Sequence, residues 1–301
     1  MPELPEVEII VRDLKKHILG RKIEDVWSDW RKMVKTPGDF EEFKKEIKGK
    51  KTENIRRRGK NILIDLSGNK TLLIHQKLTG HLLLGKWVKE NNKWRSVIPG
   101  PLSEDPKNRF LHLMFWLDNG KMLALSDLRK FAKVELLDKE TLKNEISSLG
   151  PEPLEKDFTF EKFKETLRQT QGKIKQVLMD QTIIAGIGNI YSDEILWTAK
   201  IHPFKGVGEL NEKDLKRIYK AMREILKIAI KLRGESISDF RDLIGNKGYF
   251  DKARKVYQRE GEKCIRCGTK IKRVKLGDRS AHYCPKCQKL CPVGNRRDFR
   301  D

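Results

Sequence analysis

Cys264-x-x-Cys267 and Cys284-x-x-Cys287, separated by the sixteen residues Gly268 to Tyr283, constrain this chain more than any other feature. Two such pairs offer four thiolates to one tetrahedral ion, and Zn²⁺ is the metal that this set and spacing select. Gly268 and Pro285 suit the turns inside the two knuckles. Because Cys264, Cys267, Cys284 and Cys287 fill all four positions, no site is left for a reactive water, and the metal is expected to be structural. A dithiol redox pair is the alternative. From Cys264 to Asp301 eleven Lys or Arg stand against three Asp, so the segment reads as a basic hairpin suited to a DNA backbone. Cys291 falls outside the pairing and reads as a spectator. The charged tail 291–301 has little to bury and reads as disordered.

The rest of the chain carries the same sign. Lys and Arg total 65 against 43 acidic residues, for a net charge of +22 and a pI near 9.7, which predicts a polyanionic partner. A membrane surface would also attract such a chain, but no run approaches the ~18 apolar residues of a spanning helix. Glu3, Glu6, Glu8 and Asp13 make the first residues unlike a secretory signal. Paired cysteines of metal type point to a reducing interior. These features predict a soluble, cytoplasmic, nucleic-acid-binding protein.

At the other end stands Met1-Pro2-Glu3-Leu4-Pro5-Glu6-Val7-Glu8. Removal of Met1 would leave a secondary amine at the terminus, and an α-amino group titrates near ~7.7–8.0, so part of it is neutral and nucleophilic at physiological pH. Attack on an aldehyde-level carbon gives an iminium, an electron sink for later bond cleavage. The Glu3 carboxyl could move protons at the same carbon. The alternative is that Pro2 and Pro5 merely start a helix. Val7, Ile10, Val11, Leu14 and Ile18 lie at helical spacing, predicting a helix from about Pro5 to Leu19 with Gly20 as its stop. Strands follow: Asn61–Leu66 and Thr71–His75 flank Ser67-Gly68-Asn69, and Leu111–Leu117 and Met122–Leu125 flank Asp118-Asn119-Gly120. The Asn119-Gly120 pair suits a type I′ turn. Glu90 to Lys107, polar with three prolines, reads as a loop. Residues 1–135 thus read as a helix packed on β-sheets.

Leu149-Gly-Pro-Glu-Pro-Leu154 marks a proline-bounded junction inside a linker, 136–154. Beyond it the periodicity turns helical. Phe160, Phe163 and Leu167 mark one helix, and Ile174, Val177 and Leu178 a second. Asn211 caps a long helix carrying Leu215, Ile218, Met222 and Leu226, closed by Gly234. Gly186-Ile-Gly188-Asn189 either permits a turn or offers helix N–H groups to a phosphate.

Taken in order, these segments resemble the family of bacterial formamidopyrimidine-DNA glycosylase and endonuclease VIII. The matching stretches are Pro2–Glu8, Arg58-Gly-Lys60, His75–Gly80, Asp127-Leu-Arg-Lys-Phe131, Leu149–Leu154, Ile174-Lys175, Gly186–Tyr191, Lys247-Gly-Tyr-Phe250 and the four cysteines. The resemblance implies an α+β multidomain fold: a β-sandwich with a flanking helix (1–135), a helix–two-turn–helix domain (155–250) and a four-cysteine zinc-finger hairpin (251–290). It implies a monomer acting on double-stranded DNA with a flipped-out oxidised base. Pro2 would attack C1′ and form a Schiff base, Glu3 would transfer protons at the sugar, Lys60 would hold a phosphate and donate a proton in β-elimination, and Arg279 would clamp phosphates through δ-elimination. Leu78, Arg129 and Phe131 would fill the vacated base stack, and Lys175, Asn189 and Tyr249 would contact the DNA.

Three departures stand out. Leu78 replaces the family's usual methionine, keeping volume and apolarity. Leu128 replaces the proline usual after the aspartate, and Phe110-x-His112 stands where two histidines are common. Two other functions compete with oxidised-purine excision: endonuclease VIII-like excision of oxidised pyrimidines, and non-catalytic DNA binding if Met1 is retained.

Overall fold

The computed structural model describes residues 1–237 and 239–290; Cys291 and the tail expected to be disordered lie outside them. The described residues form two compact units, 1–152 with 226–253 and 153–225 with 254–290.

The first unit opens with α1 (Leu4–Ile18), one residue from its expected bounds. Pro5 lies in its first turn, and the Glu6 carboxylate accepts the Glu3 N–H at 2.8 Å, satisfying a donor that has no partner inside the helix. Then follow β1 (Ile23–Ser28), β2 (Val34–Thr36), α2 (Phe40–Ile47), β3 (Thr52–Arg58), β4 (Asn61–Leu66), β5 (Lys70–His75), β6 (His81–Gly85), β7 (Trp87–Glu90) and β8 (Lys93–Ser96). After α3 (Pro101–Glu104) come β9 (Leu111–Leu117), β10 (Met122–Ser126), β11 (Lys133–Asp138) and α4 (Lys139–Ser147).

Two sheets result, ordered β1-β9-β10-β6 and β2-β11-β5-β4-β3. Strand alternation explains why they share a core: Leu113, Phe115 and Leu117 of β9, Leu123 and Leu125 of β10, Ile62, Ile64 and Leu66 of β4 and Leu72 and Ile74 of β5 all point into one cluster. Val7, Ile10, Leu14 and Ile18 of α1 and Phe40, Phe43 and Ile47 of α2 enter the same cluster. The opposite face of the five-stranded sheet buries Leu63, Leu73 and Leu137 against Leu142 of α4. This is the expected sandwich with a flanking helix.

Three local expectations were wrong. The stretch 136–154 is not simply a linker: it completes β11 and forms α4, which Asp138 caps. Glu90–Lys107 is not a loop: β7 and β8 form a hairpin, and α3 and a 3₁₀ turn at Pro106–Arg109 follow. Polar composition hid the hairpin because its inward face alternates Trp87 and Trp94 with Lys89 and Ser96, and Pro101 and Pro106 start the helical turns rather than prevent them. The β9–β10 turn is not type I′ either. That type needs positive φ at both central residues, whereas of Asn119 and Gly120 only Gly120 has it (71°). The consecutive positive values occur at Gly68 and Asn69.

The second unit contains α5 (Phe160–Arg168), α6 (Ile174–Met179), α7 (Asn189–Ala199), most of α8 (Glu212–Lys231), and a basic hairpin of β12 (Lys272–Leu276) and β13 (Arg279–Tyr283). Asn211 caps α8 as expected, its Oδ1 accepting the Asp214 N–H at 2.9 Å. Between α6 and α7, Gly186 takes φ 94°, and the Gln181 carboxamide bonds Met179 O, Ile187 O and Gly186 N–H, fixing the glycine turn from inside.

Candidate active site and metal centre

In the first unit the amino terminus is held by Glu6, which sequence reasoning had passed over. One carboxylate oxygen takes the Glu3 N–H and the other takes the Glu235 N–H at 2.8 Å. Gly234 is required beside it: its φ is +78°, and a Cβ would stand 2.9 Å from Glu6 Oε1. Arg233 adds a bidentate bond to Asp13 and a bond to Asp242. A glutamate three residues after Glu3 was the available signal, as a capping box.

Pro2 is buried, and so are Glu3 (2% exposed) and Lys60 (7%). The terminal amine belongs to Met1 and stands in for the Pro2 nitrogen that loss of Met1 would expose. Burial pushes this amine below its ordinary value of 8.0; Glu3, Glu6 and Asp239 oppose the shift and Lys60 adds to it. Lys60 also acts on His75, whose imidazole is held down to about 3 by burial, with Lys77, Lys60 and Lys133 contributing. His75 is therefore neutral, and its Nδ1 accepts the Lys77 N–H at 3.0 Å.

Lys60 sits in the β3–β4 turn, which is anchored by Glu152 of the Leu149–Leu154 motif. The Glu152 carboxylate takes the Gly59 N–H at 2.6 Å and both Arg57 and Arg58. Arg58 also reaches Leu149 O and Gly150 O, and Arg57 reaches Glu8 of α1 at 3.1 Å. The sequence marked that motif as a junction, and the structure gives it this second task.

The loops carrying Leu78 and Arg129 are joined by Asp127, which is fully buried. Its Oδ1 receives the Thr79 hydroxyl and its Oδ2 the Ala132 N–H, and the Arg129 N–H bonds Thr79 Oγ1. Gly80 is needed here because a Cβ would stand 2.4 Å from Gln76 O. Outside this frame Arg129 and Phe131 are exposed, with the guanidinium 4.8 Å from the Phe131 ring centre, and Leu78 is half-buried. The loop 127–131 therefore presents a preassembled pair of side chains, and Leu128 stands exposed without disturbing it. Tyr249 is 55% exposed and follows Gly248, where a Cβ would fall 2.2 Å from two carbonyl oxygens.

In the second unit Asn189 opens α7, and its amide oxygen has no partner among the described residues. Arg279 begins β13, half exposed, and among the described residues its one ion pair is an exposed one with Asp278 at 3.5 Å. Lys175 departs from expectation as a DNA contact. It is fully buried, pairs with Asp193 at 2.5 Å and donates to Ser280 O at 2.8 Å. Asp193 also receives the His282 N–H and Nδ1. Lys175 and Asp193 thus fasten β13, the strand that carries Arg279. Next to Asp193, Glu194 accepts three N–H groups, from Lys255, Val256 and Tyr257, while burial raises its carboxyl above the ordinary range.

The four cysteine sulfurs lie within 4.8 Å of one another, with separations of 3.4, 3.5 and 4.0 Å among the bonded pairs. Sulfurs ~2.3 Å from a tetrahedral Zn²⁺ are ~3.8 Å apart, so the set fits the ion. The Gln288 carboxamide fixes one knuckle, accepting from Cys284 N–H and donating to Ile201 O. Trp197 of α7 packs into the other, with Arg266 stacked 3.6 Å from its ring centre. Chelation, or Cys284→Ser, should therefore release the hairpin that carries Arg279 and weaken DNA binding, while the sandwich, with its separate core, stays folded. Metal analysis should find one zinc per chain.

Comparison with known proteins agrees along the whole length. Residues 1–134 match the formamidopyrimidine-DNA glycosylase N-terminal domain, 149–241 the H2TH domain of that enzyme, and 261–290 the zinc finger found in FPG and IleRS. The formamidopyrimidine-DNA glycosylase of Pelotomaculum thermopropionicum is 40% identical over 292 residues, 96% of this chain and 100% of its own. Lactococcus lactis Fpg in complex with DNA containing an abasic site superposes with a TM-score of 0.83 at 36% identity, covering 96% of this chain and 100% of that one. The complex of that enzyme with DNA containing Fapy-dG gives 0.82 at the same identity and coverage. The four cysteines hold one structural Zn²⁺, and the chain belongs to the formamidopyrimidine-DNA glycosylase family.

Proposed function

We infer that this chain excises oxidised purines, 8-oxoguanine and formamidopyrimidines, from duplex DNA and then cleaves the strand by β,δ-elimination. The observation that carries this reading is the amino terminus, where Pro2 and Glu3 are buried and the Met1 amine, standing in for the Pro2 nitrogen, is pushed toward its neutral form beside the Glu3 carboxyl and within the field of Lys60. Once Met1 is removed, the Pro2 nitrogen attacks C1′, the bond from C1′ to the base breaks, and the base leaves with its electron pair and a proton. The C1′–O4′ bond then opens, O4′ taking a proton, and leaves an iminium that acidifies C2′, so loss of a C2′ proton expels the 3′-phosphate and a second elimination expels the 5′-phosphate. Glu3 transfers protons at the sugar, Lys60 donates to the leaving phosphate, and Arg279 and Asn189 hold phosphates. Leu78, Arg129 and Phe131 fill the stack vacated by the flipped nucleotide, and Tyr249 contacts the DNA nearby. The work takes place in the cytoplasm, on the nucleoid.

Arg129 supplies the test of lesion class. A guanidinium offers only donors, which suit the O2 and N3 acceptors of an orphaned cytosine. Adenine offers N1 as its single acceptor on that edge, so one guanidinium donor is left without a partner, and a buried unpaired donor costs ~1–3 kcal/mol. Excision of 8-oxoguanine should therefore be roughly 5- to 150-fold faster opposite cytosine than opposite adenine, with the gap narrowed in Arg129→Ala. Single-turnover rates on the two duplexes measure it. Equal rates, or better excision of oxidised pyrimidines, would favour the endonuclease VIII reading.

A further inference from the structure

The outer face of the sheet β1-β9-β10-β6 is covered by the β7–β8 hairpin, and the cover does not close. A cleft of about 960 Å³ remains, within the size range of small-molecule sites. Its floor is aromatic. Trp94 of β8 meets Trp27 edge-to-face at 5.2 Å and Trp116 at 5.9 Å, and Trp87 lies buried beside them. Indoles in T-shaped contact keep ring faces unstacked, so the corner is rigid yet still offers π surface.

Its rim is cationic. Lys89, Lys93, Arg95 and Arg109 line the cleft against one carboxylate, Asp29, and Asp29 is already bonded to His112 Nδ1 at 2.8 Å. Lys89 and Lys93 have no ion-pair partner among the described residues; Lys89 instead lies 5.8 Å from the Trp27 ring centre. Among the described residues Arg95 has one ion pair, an exposed contact with Glu90 at 3.7 Å. One donor in this corner is also left over: Trp94 Nε1 is buried and has no acceptor among the described residues. A hairpin that served only as a tether would fill its own cavity with apolar side chains. This one turns Lys89 and Ser96 inward alongside the tryptophans.

We propose that this cleft binds an unpaired nucleotide, its base stacked in the tryptophan corner with a carbonyl on Trp94 Nε1 and its phosphate on Lys89, Lys93 and Arg95. Stacking on aromatics combined with a basic track is the chemistry by which proteins hold single strands irrespective of sequence. None of these side chains belongs to the amine, wedge or finger residues above, so the site is separate from the lesion chemistry. The nucleotide could come from an unpaired DNA segment or from a free nucleotide.

The test uses the full, zinc-loaded chain. Binding of a labelled short oligo-dT is measured by anisotropy beside binding of dTMP, for the unaltered protein, Trp94→Ala, Trp94→Phe, and Lys89→Ser with Lys93→Ser. Trp94→Ala should weaken oligo-dT by roughly 5- to 150-fold. Trp94→Phe, which keeps the ring and removes the N–H, should retain most of the stacking and lose part of the affinity. The double lysine variant should lower the salt slope by roughly 0.7 for each phosphate contact removed. Strand cleavage at an abasic site in duplex DNA should be unchanged in all three. Tighter binding of the oligonucleotide than of dTMP identifies an unpaired strand, and equal binding a free nucleotide. A 5-iodouracil strand should crosslink within residues 87–96 or to Trp27. Crosslinks confined to the finger hairpin, or affinities and salt slopes unchanged in the Trp94→Ala and lysine variants, would overturn the proposal.

Discussion

Glu3→Gln is expected to slow release of 8-oxoguanine from duplex DNA by ~10²- to 10⁴-fold, the usual scale of a lost proton-transfer group. Cleavage at a preformed abasic site should fall much less. The substitution keeps the shape of the side chain and keeps the Glu3 N–H on the Glu6 carboxylate, because that bond uses backbone. What it removes is a carboxyl, 2% exposed, that can exchange a proton at the sugar. An abasic site has already lost its base, so only the amine chemistry remains to be done there. Parallel single-turnover rates on the two substrates decide the matter. Equal losses would place Glu3 in the support of the terminus rather than in the chemistry of the base.

The second large effect belongs to the amine. Burial lowers the Met1 amine below 8.0, and the Pro2 nitrogen that takes its place on loss of Met1 is expected to be shifted in the same direction, toward the nucleophilic form. The sign sets the pH profile: an amine must lose its proton to attack, so a depressed pKa extends covalent trapping to pH values below 8. Lys60 contributes to the depression and Glu3 opposes it. Removing the cation in Lys60→Ala should move the acidic limb of trapping up in pH, and Glu3→Gln should move it down. Any species that retains Met1 should trap no DNA, because its second nitrogen is an amide. Intact mass and trapping measured on the same preparation should therefore correlate.

Much of this arrangement is visible in the residues themselves. The helix from Leu4, the hairpins around Gly68 and Gly120 and the Asn211 cap depend on neighbours a few residues away, and the four cysteines on a recognisable spacing of two pairs, so all of these can be read. Lys175 could not be read in this way. The family resemblance placed Lys175 on the DNA, but its partners are Asp193, on another helix, and Ser280 O, 105 residues away in sequence. Glu152 is similar: its motif has the prolines of a junction, and its bonds to Arg57, Arg58 and Gly59 span more than ninety residues. Asp127 escaped for a different reason, since its motif drew attention to Arg129 and Phe131 and not to the carboxylate that shapes the loop. The β7–β8 hairpin stayed hidden because its inward face mixes tryptophan with lysine and serine, which breaks the apolar alternation that marks a strand.

On the proposed mechanism the chemistry begins at the second residue of the chain. Borohydride added during turnover of a duplex carrying one 8-oxoguanine reduces the Schiff base and fixes the protein to the DNA. Proteolysis and mass mapping of that adduct should place the sugar on the Pro2 nitrogen of a chain that has lost Met1. An adduct on Lys60 or another lysine, or no adduct from protein whose terminus is Pro2, would contradict it.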